Sequence, residues 1–356
     1  MAESTVSYKC PNCGAPLSYL AGKKTVTCQF CDTEFEAAKI DEIFQSKNER
    51  ATHAFFGWKE DEVKNFRAFT CSSCGAELVC DENTMATECV YCGNPTMIPK
   101  RFDGMLRPDY IIPFKKTKED AVAALKNFYK GKHLLPVNFT KNNRVEAIQP
   151  MYVPFWLFDA KVSANVDFIA AKVYKYDRDN DEYVQKKFFS CHREGKMSFA
   201  KIPADGSKKM DDDYMDSIEP FDFRALVPFS AAYLAGYLAD KYDVDAGECK
   251  SRVDERVENS TIEILRTQTL GEYEEAEVEN STIEKNFYNV SYVMVPVWIL
   301  TTRYRNKPYT FMMNGQTGKV VGNLPSGPVK SILYPSLLAL ATGSIFYFIV
   351  LNRINN

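Results

Sequence analysis

The stretch Cys71-Ser-Ser-Cys74, followed after fourteen residues by Cys89-Val-Tyr-Cys92, constrains the architecture more than any other part of the chain. The same pattern stands 61 residues earlier, as Cys10-Pro-Asn-Cys13 and Cys28-Gln-Phe-Cys31. One Cys-x-x-Cys turn places two sulfurs on one side of an ion, and a second pair completes a tetrahedron. The spacing therefore predicts two structural Zn²⁺ sites, with the ligands Cys10, Cys13, Cys28 and Cys31 in the first and Cys71, Cys74, Cys89 and Cys92 in the second.

Residues that tolerate tight turns follow all four cysteine pairs: Gly14, Gly75, Gly93 and Asp32. A four-cysteine site leaves no coordination position for water, so we expect the metal to fold the module and not to catalyse a reaction. Thioredoxin-like chemistry would use a single Cys-x-x-Cys at the start of a helix. Disulfides need an oxidising compartment, and the polar start of the chain offers no signal peptide.

Charge weighs against nucleic acid as the partner of these modules. The chain of 356 residues has a net charge of −3, and residues 1–100 carry ten Lys plus Arg against fourteen Asp plus Glu. Proteins that track nucleic-acid phosphates present a basic face, and this segment has no overall basic surplus to build one.

The sequence divides into zinc ribbon 1 (1–36), a helical connector (37–68), zinc ribbon 2 (69–100), an α+β domain (105–325) and an apolar tract (331–351). The predicted fold is thus two small zinc-ribbon β modules followed by an α+β domain and one C-terminal transmembrane helix.

Within residues 105–325, the spacing of apolar residues predicts a helix from Lys118 to Tyr129, with Thr117 as its cap. The same spacing predicts helical structure from Pro228 to Arg266, in which a second helix begins at Ala246. Tyr152-Val-Pro-Phe-Trp-Leu resembles Met294-Val-Pro-Val-Trp-Ile at an offset of 142 residues, which predicts two equivalent strands of one sheet. Asp177 to Asp181 marks a hairpin tip.

No enzyme motif is present in the sequence. The three histidines, His53, His133 and His192, form no metalloprotease pattern, and there is no nucleophile elbow or phosphate-binding glycine loop. Cys191 and His192 are adjacent, but a nucleophile and its base normally meet through the fold, so a pair in a hairpin is the better interpretation. Asp211, Asp212 and Asp213 lack a calcium-loop spacing. We therefore expect a protein that is not an enzyme.

The tract from Ser331 to Leu351 contains no charged residue and is flanked by Lys330 and Arg353. Twenty helical residues span about 30 Å, which is the thickness of the hydrocarbon core of a bilayer. We expect a transmembrane helix inserted as a tail anchor, which locates the protein at the cell membrane with a single pass and the bulk of the chain on the cytoplasmic side.

The chain resembles a family of bacterial membrane-associated double zinc-ribbon proteins, which are labelled transcription-factor-IIB-type zinc-ribbon or primosomal-helicase-like proteins. The resemblance rests on the paired ribbons and on three longer motifs, Tyr152-Val-Pro-Phe-Trp-Leu-Phe-Asp159, the stretch from Val227 to Tyr242, and Asn314-Gly-Gln-Thr-Gly-Lys-Val-Val-Gly322. It implies a non-enzymatic role in envelope stress, with a flotillin-like (SPFH) protein and phage shock protein A as partners.

Two hypotheses follow from the sequence. The first is a membrane-anchored zinc-ribbon scaffold that recruits cytosolic proteins to the inner face of the cell membrane. The alternative is a membrane-tethered zinc-ribbon protein that binds nucleic acid.

Overall fold

The computed structural model describes residues 66–81, 88–100, 106–136, 145–178, 181–210, 212–305 and 307–354, together with parts of 10–39, Trp58 and Phe139. Cys13, Gly14, His53, Asp211 and nearly all of the predicted connector lie outside the described residues.

Most of the described chain belongs to one mixed sheet of eleven strands. A separate three-stranded sheet forms ribbon 1, from β1 (Leu17–Tyr19), β2 (Thr25–Cys28) and β3 (Glu34–Glu36). The large sheet contains β4 (Phe66–Cys71), β5 (Glu77–Asp81), β6 (Met97–Lys100), β7 (Tyr110–Ile111), β8 (Val145–Arg178), β9 (Asp181–Asp205), β10 (Val227–Pro228), β11 (Leu238–Asp240), β12 (Glu275–Tyr304), β13 (Lys307–Asn314) and β14 (Val320–Gly322). In the described part of the chain, four helices accompany the sheet: α1 (Lys118–Phe128), α2 (Asp212–Ile218), α3 (Ala246–Thr269) and α4 (Pro328–Ile354).

The predicted fold class is wrong. Strand β5 of ribbon 2 pairs antiparallel with β11 of the main domain, with Val79 opposite Ala239, so the large sheet includes ribbon 2. The main domain is dominated by the large mixed sheet and has few helices. Long strands with alternating burial supply most of its core, so the label α+β overstates the helices.

The predicted helix from Pro228 is also wrong before Ala246. Residues 231–234 form a 3-10 turn capped by Ser230, and β11 follows. Gly236 adopts a φ of +83°, which ends any helical path, and its N–H donates to Asp81 Oδ2 at 2.7 Å. The four-residue spacing of Leu234 and Leu238 therefore reflects burial in a turn and a strand.

The C-terminal helix α4 forms, but the described part of the chain contains no helix with both the length and the apolar character that crossing a membrane requires. The predicted transmembrane helix at 331–351, its tail anchor and the single-pass location at the cell membrane are therefore wrong. The prediction relies on the absence of charge. Hydroxyl side chains at Ser336, Thr342 and Ser344 interrupt the apolar residues, and each donates to a backbone carbonyl one turn earlier.

The two similar strands predicted from the sequence do lie in one sheet. β8 and β12 pair antiparallel, with Tyr152 opposite Pro296 and Pro154 opposite Met294. Because Tyr152 corresponds to Met294 in the repeat, this register places Val153 directly opposite its own counterpart, Val295. The centre of the domain is therefore an approximate two-fold axis that relates β8 to β12.

The symmetry extends to the segments on either side of these strands. β11 runs parallel to β8, with Ala239 opposite Tyr152, and β7 runs parallel to β12, with Ile111 opposite Met294. Each of these short strands leads to a helix that begins with a capping box, formed by Asp245 for α3 and by Thr117 for α1. The duplication therefore includes a short strand, a capped helix and a long strand.

Beyond the symmetric core, three strands continue as an arm. We define the arm as residues 160–178 of β8, 181–200 of β9 and 275–290 of β12, with β8 in the centre. Nineteen extended residues of β8 make the arm about 60 Å long. α3 packs against one face of the arm through side chains spaced four apart: Cys249, Val253, Val257, Thr261 and Leu265.

α3 ends before the arm does. The Arg193 side chain on β9 donates from Nε to Thr269 Oγ1 at 3.0 Å, at the last residue of the helix. Past this level the strands continue to the hairpin between Arg178 and Asp181, where the sequence predicts the tip. We call residues 172–178 and 181–189 the distal tip.

An identical heptapeptide adopts two conformations in this region. Val257 to Glu263 lies in α3, and the same seven residues at Val278 to Glu284 lie in β12. In the helix Val257 and Thr261 are buried against the arm, whereas in the strand Val278 is 37% exposed. Tertiary packing, and not the local sequence, therefore selects the conformation.

Candidate metal centres

The cysteines of ribbon 2 converge on one point. The four sulfurs of Cys71, Cys74, Cys89 and Cys92 all lie within 4.8 Å of one another. Cys71 Sγ is 3.6 Å from Cys92 Sγ, and Cys74 Sγ is 3.5 Å from Cys89 Sγ. Sulfurs at the corners of a tetrahedron around zinc, with bonds of about 2.3 Å, are separated by about 3.8 Å. The described geometry therefore fits a metal ion at the centre of this cluster.

Ribbon 1 brings together the three of its cysteines that are described. The sulfurs of Cys10, Cys28 and Cys31 also lie within 4.8 Å of one another, and Cys10 Sγ is 3.4 Å from Cys31 Sγ. The fourth predicted ligand, Cys13, lies outside the described residues. Among the residues the structure describes, these two clusters are the groups of three or more His, Cys, Asp or Glu side chains that could hold a metal ion.

The backbone around each described pair has the same turn. Gly75 N donates to Cys71 O at 3.0 Å, Gly93 N to Cys89 O at 2.8 Å and Asp32 N to Cys28 O at 2.9 Å. These three donors have positive φ angles of 71°, 69° and 54°, as the sequence predicts for residues that follow the pairs.

The surroundings of the sulfurs favour a bound cation. The backbone N–H of Cys74 donates to Cys71 and lowers the pKa of that thiol to about 6, with a further contribution from the N–H of Ser73. Burial raises the pKa of Cys74 and of Cys89. Two thiols of the cluster are therefore costly to ionise alone, and a cation at the centre offsets that cost.

Ribbon 2 is attached to the main domain by a hydrogen-bond network that sequence reasoning misses. Tyr91, inside the second Cys-x-x-Cys, donates from its hydroxyl to Asp240 Oδ2 at 2.6 Å, and Ser207 Oγ donates to the same oxygen at 2.6 Å. Burial raises the pKa of Asp240 to about 7. Lys209 Nζ donates to Cys74 O at 2.8 Å. Two features of the sequence could have indicated this network: Tyr91 inside the second Cys-x-x-Cys, and Asp240, the acidic residue of the short strand β11. The two residues are far apart in sequence, so no local pattern predicts their contact.

The other candidates from the sequence form no site among the residues that the structure describes. Cys191 and His192 point to opposite faces of β9, because side chains alternate along a strand. Cys191 is buried, whereas the side chain of His192 is 55% exposed. A hydrogen bond to Asp167 at 2.6 Å, together with Glu194, raises the pKa of His192. Asp212, at the start of α2, forms an ion pair with Arg252. Among the described residues, Asp212 belongs to no group of three or more side chains that could hold a metal ion.

Cys80 and Cys249 lie outside the clusters and are buried. Burial raises the pKa of Cys80 to about 12 and that of Cys249 to about 11. Both side chains are therefore neutral packed thiols.

The distal tip of the arm is rich in exposed aromatic side chains. Tyr174, Tyr176 and Tyr183 share the face of the arm on which α3 lies, beyond the end of the helix. The rings of Tyr176 and Tyr183 stack at 5.6 Å with an interplanar angle of 10°, and Lys187 Nζ lies 5.1 Å from the ring of Tyr174. On the opposite face Phe188 is 66% exposed. Apolar surface grouped in this way is typical of an interaction site.

Comparison with known proteins identifies a curated relative. The protein YdjG of Bacillus subtilis (strain 168), described as uncharacterized, is 33% identical over 320 residues, which cover 90% of this chain and 90% of the relative. No family model matches the chain. No solved structure matches it either.

Proposed function

Because the chain belongs to the family of Bacillus subtilis YdjG, whose description states no activity, we propose from the structure that it is a non-catalytic adaptor with two structural zinc ions. Zinc is the ion that four cysteine thiolates in a tetrahedral arrangement favour, and a closed site of this kind supplies rigidity. The ribbons and the large sheet form the body of the adaptor, and the distal tip of the arm binds a protein partner.

The exposed aromatic surface of the distal tip is the observation that carries this proposal. Large aromatic side chains that keep one polar end are enriched where proteins meet, because they bury a large area at a small entropic cost. Tyr174, Tyr176 and Tyr183 supply such side chains on one face, and Phe188 supplies apolar area on the other. The family resemblance drawn from the sequence suggests SPFH-type and phage shock protein A-like proteins of the envelope-stress response as partners.

Site-specific crosslinking tests the proposal. A photoactivatable amino acid at position 176 of the full chain, irradiated in cells, should capture a defined protein partner. Binding of that partner, once purified, should weaken at least about tenfold in the double variant Tyr174→Ser, Tyr176→Ser, since aromatic anchors at interfaces contribute about 2 kcal/mol or more each.

The matched control is Tyr288→Ser, because Tyr288 is also an exposed tyrosine of the arm but lies on β12, away from the distal tip. It should leave binding unchanged. Equal binding by all three proteins would contradict the proposal. Capture of nucleic acid, with an affinity that falls steeply with salt, would instead support the nucleic-acid hypothesis.

A further inference from the structure

Among the described residues, two edges of the arm have no strand beside them. β9 pairs with β8 on one side, and no described residue pairs with its other side. Within the described part of the chain, residues 275–290 of β12 pair with β8 alone, since β7 and β13 pair with β12 only from Val293 onward. Each edge therefore presents a row of backbone donors and acceptors that another strand can use.

The two edges carry opposite charge. β9 from 186 to 201 contains five Lys or Arg and one Glu, a net charge of +4. β12 from 275 to 290 contains four Glu and one Lys, a net charge of −3. Lys187 and Lys196 on the first edge, and Glu277, Glu279 and Glu284 on the second, have no ion pair with any described residue. Like edges would repel each other, whereas unlike edges attract.

We infer that the basic edge of one copy pairs with the acidic edge of a second copy, so that the arms join side by side into a continuous sheet. β9 and β12 both run antiparallel to β8, so they point in the same direction, and a copy displaced sideways without rotation pairs them parallel. Because the basic edge and the acidic edge are different surfaces, an assembly of any size still has a free basic edge at one end and a free acidic edge at the other. The assembly is therefore open-ended.

The strand register identifies the contact that tests this arrangement. Lys196 and Glu284 both lie opposite Ser163, one on each side of β8. A sideways displacement without slip therefore places Lys196 of one copy next to Glu284 of the next, on the same face. The same register brings Phe199 beside Phe287, since both lie opposite Ala160, and Ser190 beside Glu277, since both lie opposite Ile169. No like charges meet at these three levels.

Sedimentation velocity of the full chain over a wide range of concentration measures this assembly without any other partner, so its outcome is independent of the adaptor proposal. The wild-type protein should form species of increasing size. Lys196→Glu alone and Glu284→Lys alone should each weaken association about tenfold, because an attraction becomes a repulsion. An equimolar mixture of the two variants should associate again, since the exchanged charges then attract each other across the same contact.

Matched controls use the same charge changes at positions without a charged counterpart. Lys187→Glu lies opposite Lys172, a level that β12 does not reach, and Glu277→Lys faces Ser190 in the proposed register. Both should associate nearly as the wild type does. All four side chains are exposed, so circular dichroism and thermal unfolding, measured at a concentration at which the wild type is monomeric, should be unchanged. A wild-type monomer at every concentration, or single variants that associate like the wild type, would overturn the inference.

Discussion

Trp156 and Trp298 occupy equivalent positions on either side of the approximate two-fold axis and make the same hydrogen bond. Trp156 Nε1 donates to Val244 O, and Trp298 Nε1 donates to Lys116 O, each at 2.9 Å. Each acceptor is the residue immediately before the N-cap of a helix. The two indoles therefore fix where α3 and α1 leave the sheet.

Replacing either tryptophan should destabilise the protein by a similar amount. We expect Trp156→Phe and Trp298→Phe each to lower the free energy of unfolding by about 2–3 kcal/mol, because a partly buried carbonyl loses its donor and the core loses volume. Urea denaturation measures the change. The exposed Tyr288→Phe, expected within about 0.5 kcal/mol of wild type, is the control. A large effect at one tryptophan and none at the other would contradict their equivalence.

The number of zinc ions bound per chain should fall when a cysteine of a cluster is replaced and stay the same when a cysteine outside the clusters is replaced. The wild-type chain should bind two zinc ions, and Cys89→Ser should bind one, because a site with three sulfurs loses affinity. Cys80→Ala should retain both, since Cys80 is a buried neutral thiol outside the clusters. Elemental analysis of purified protein gives the counts. Loss of a zinc ion in Cys80→Ala would show that the ligands are misassigned.

Asp240 should make stability depend on pH near neutrality. Its pKa is about 7 in the folded protein and 3.8 in the unfolded chain, so the folded state holds a proton that the unfolded state releases. This stabilising contribution is complete below the unfolded pKa and is lost as the pH rises through about 7, at up to about 1.4 kcal/mol per pH unit.

The measurement is the difference in unfolding free energy between wild type and Asp240→Asn from pH 5.5 to 8, in which the titration of other groups cancels. We expect wild type to lose stability relative to Asp240→Asn as the pH rises. A difference that does not change with pH would mean that Asp240 stays charged despite its burial.

The repeated heptapeptide provides a comparison at matched residues. Asn259 is exposed in α3, and Asn280 is exposed in β12 at a register shift opposite Asp167. Asn259→Ala should raise the free energy of unfolding by about 0.5 kcal/mol, because alanine favours a helix. Asn280→Ala should raise it less, because alanine, although less disfavoured in strands than asparagine, is itself a poor strand former. Chemical denaturation measures the free energy of unfolding of both variants. Equal increases in the two variants would show that the effect of alanine does not depend on whether the residue lies in a helix or in a strand.

The sequence predicts the local chemistry better than the tertiary arrangement. Cysteine spacing identifies the two clusters that could hold metal ions, and the Thr117 cap and the hairpin at Asp177 to Asp181 follow from short-range patterns. The pairing of β5 with β11 joins residues about 160 positions apart, and no local pattern reports it. The heptapeptide shows the same limit directly, since identical residues form a helix and a strand. The transmembrane prediction at 331–351 is wrong because it rests on the absence of charged residues and neglects the polar and small side chains within the tract.

The pairing of β5 with β11 also determines how mechanical load passes through the molecule. Val79 and Leu78 of ribbon 2 lie opposite Ala239 and Asp240, so the ribbon continues the main sheet across backbone hydrogen bonds. A partner that pulls on ribbon 2 along its strands would load these hydrogen bonds in shear, together with the Tyr91–Asp240 contact. The force would not be taken up by extension of a flexible linker. Displacement of the ribbon is thereby transmitted to β8, which pairs with β11 and continues as the central strand of the arm.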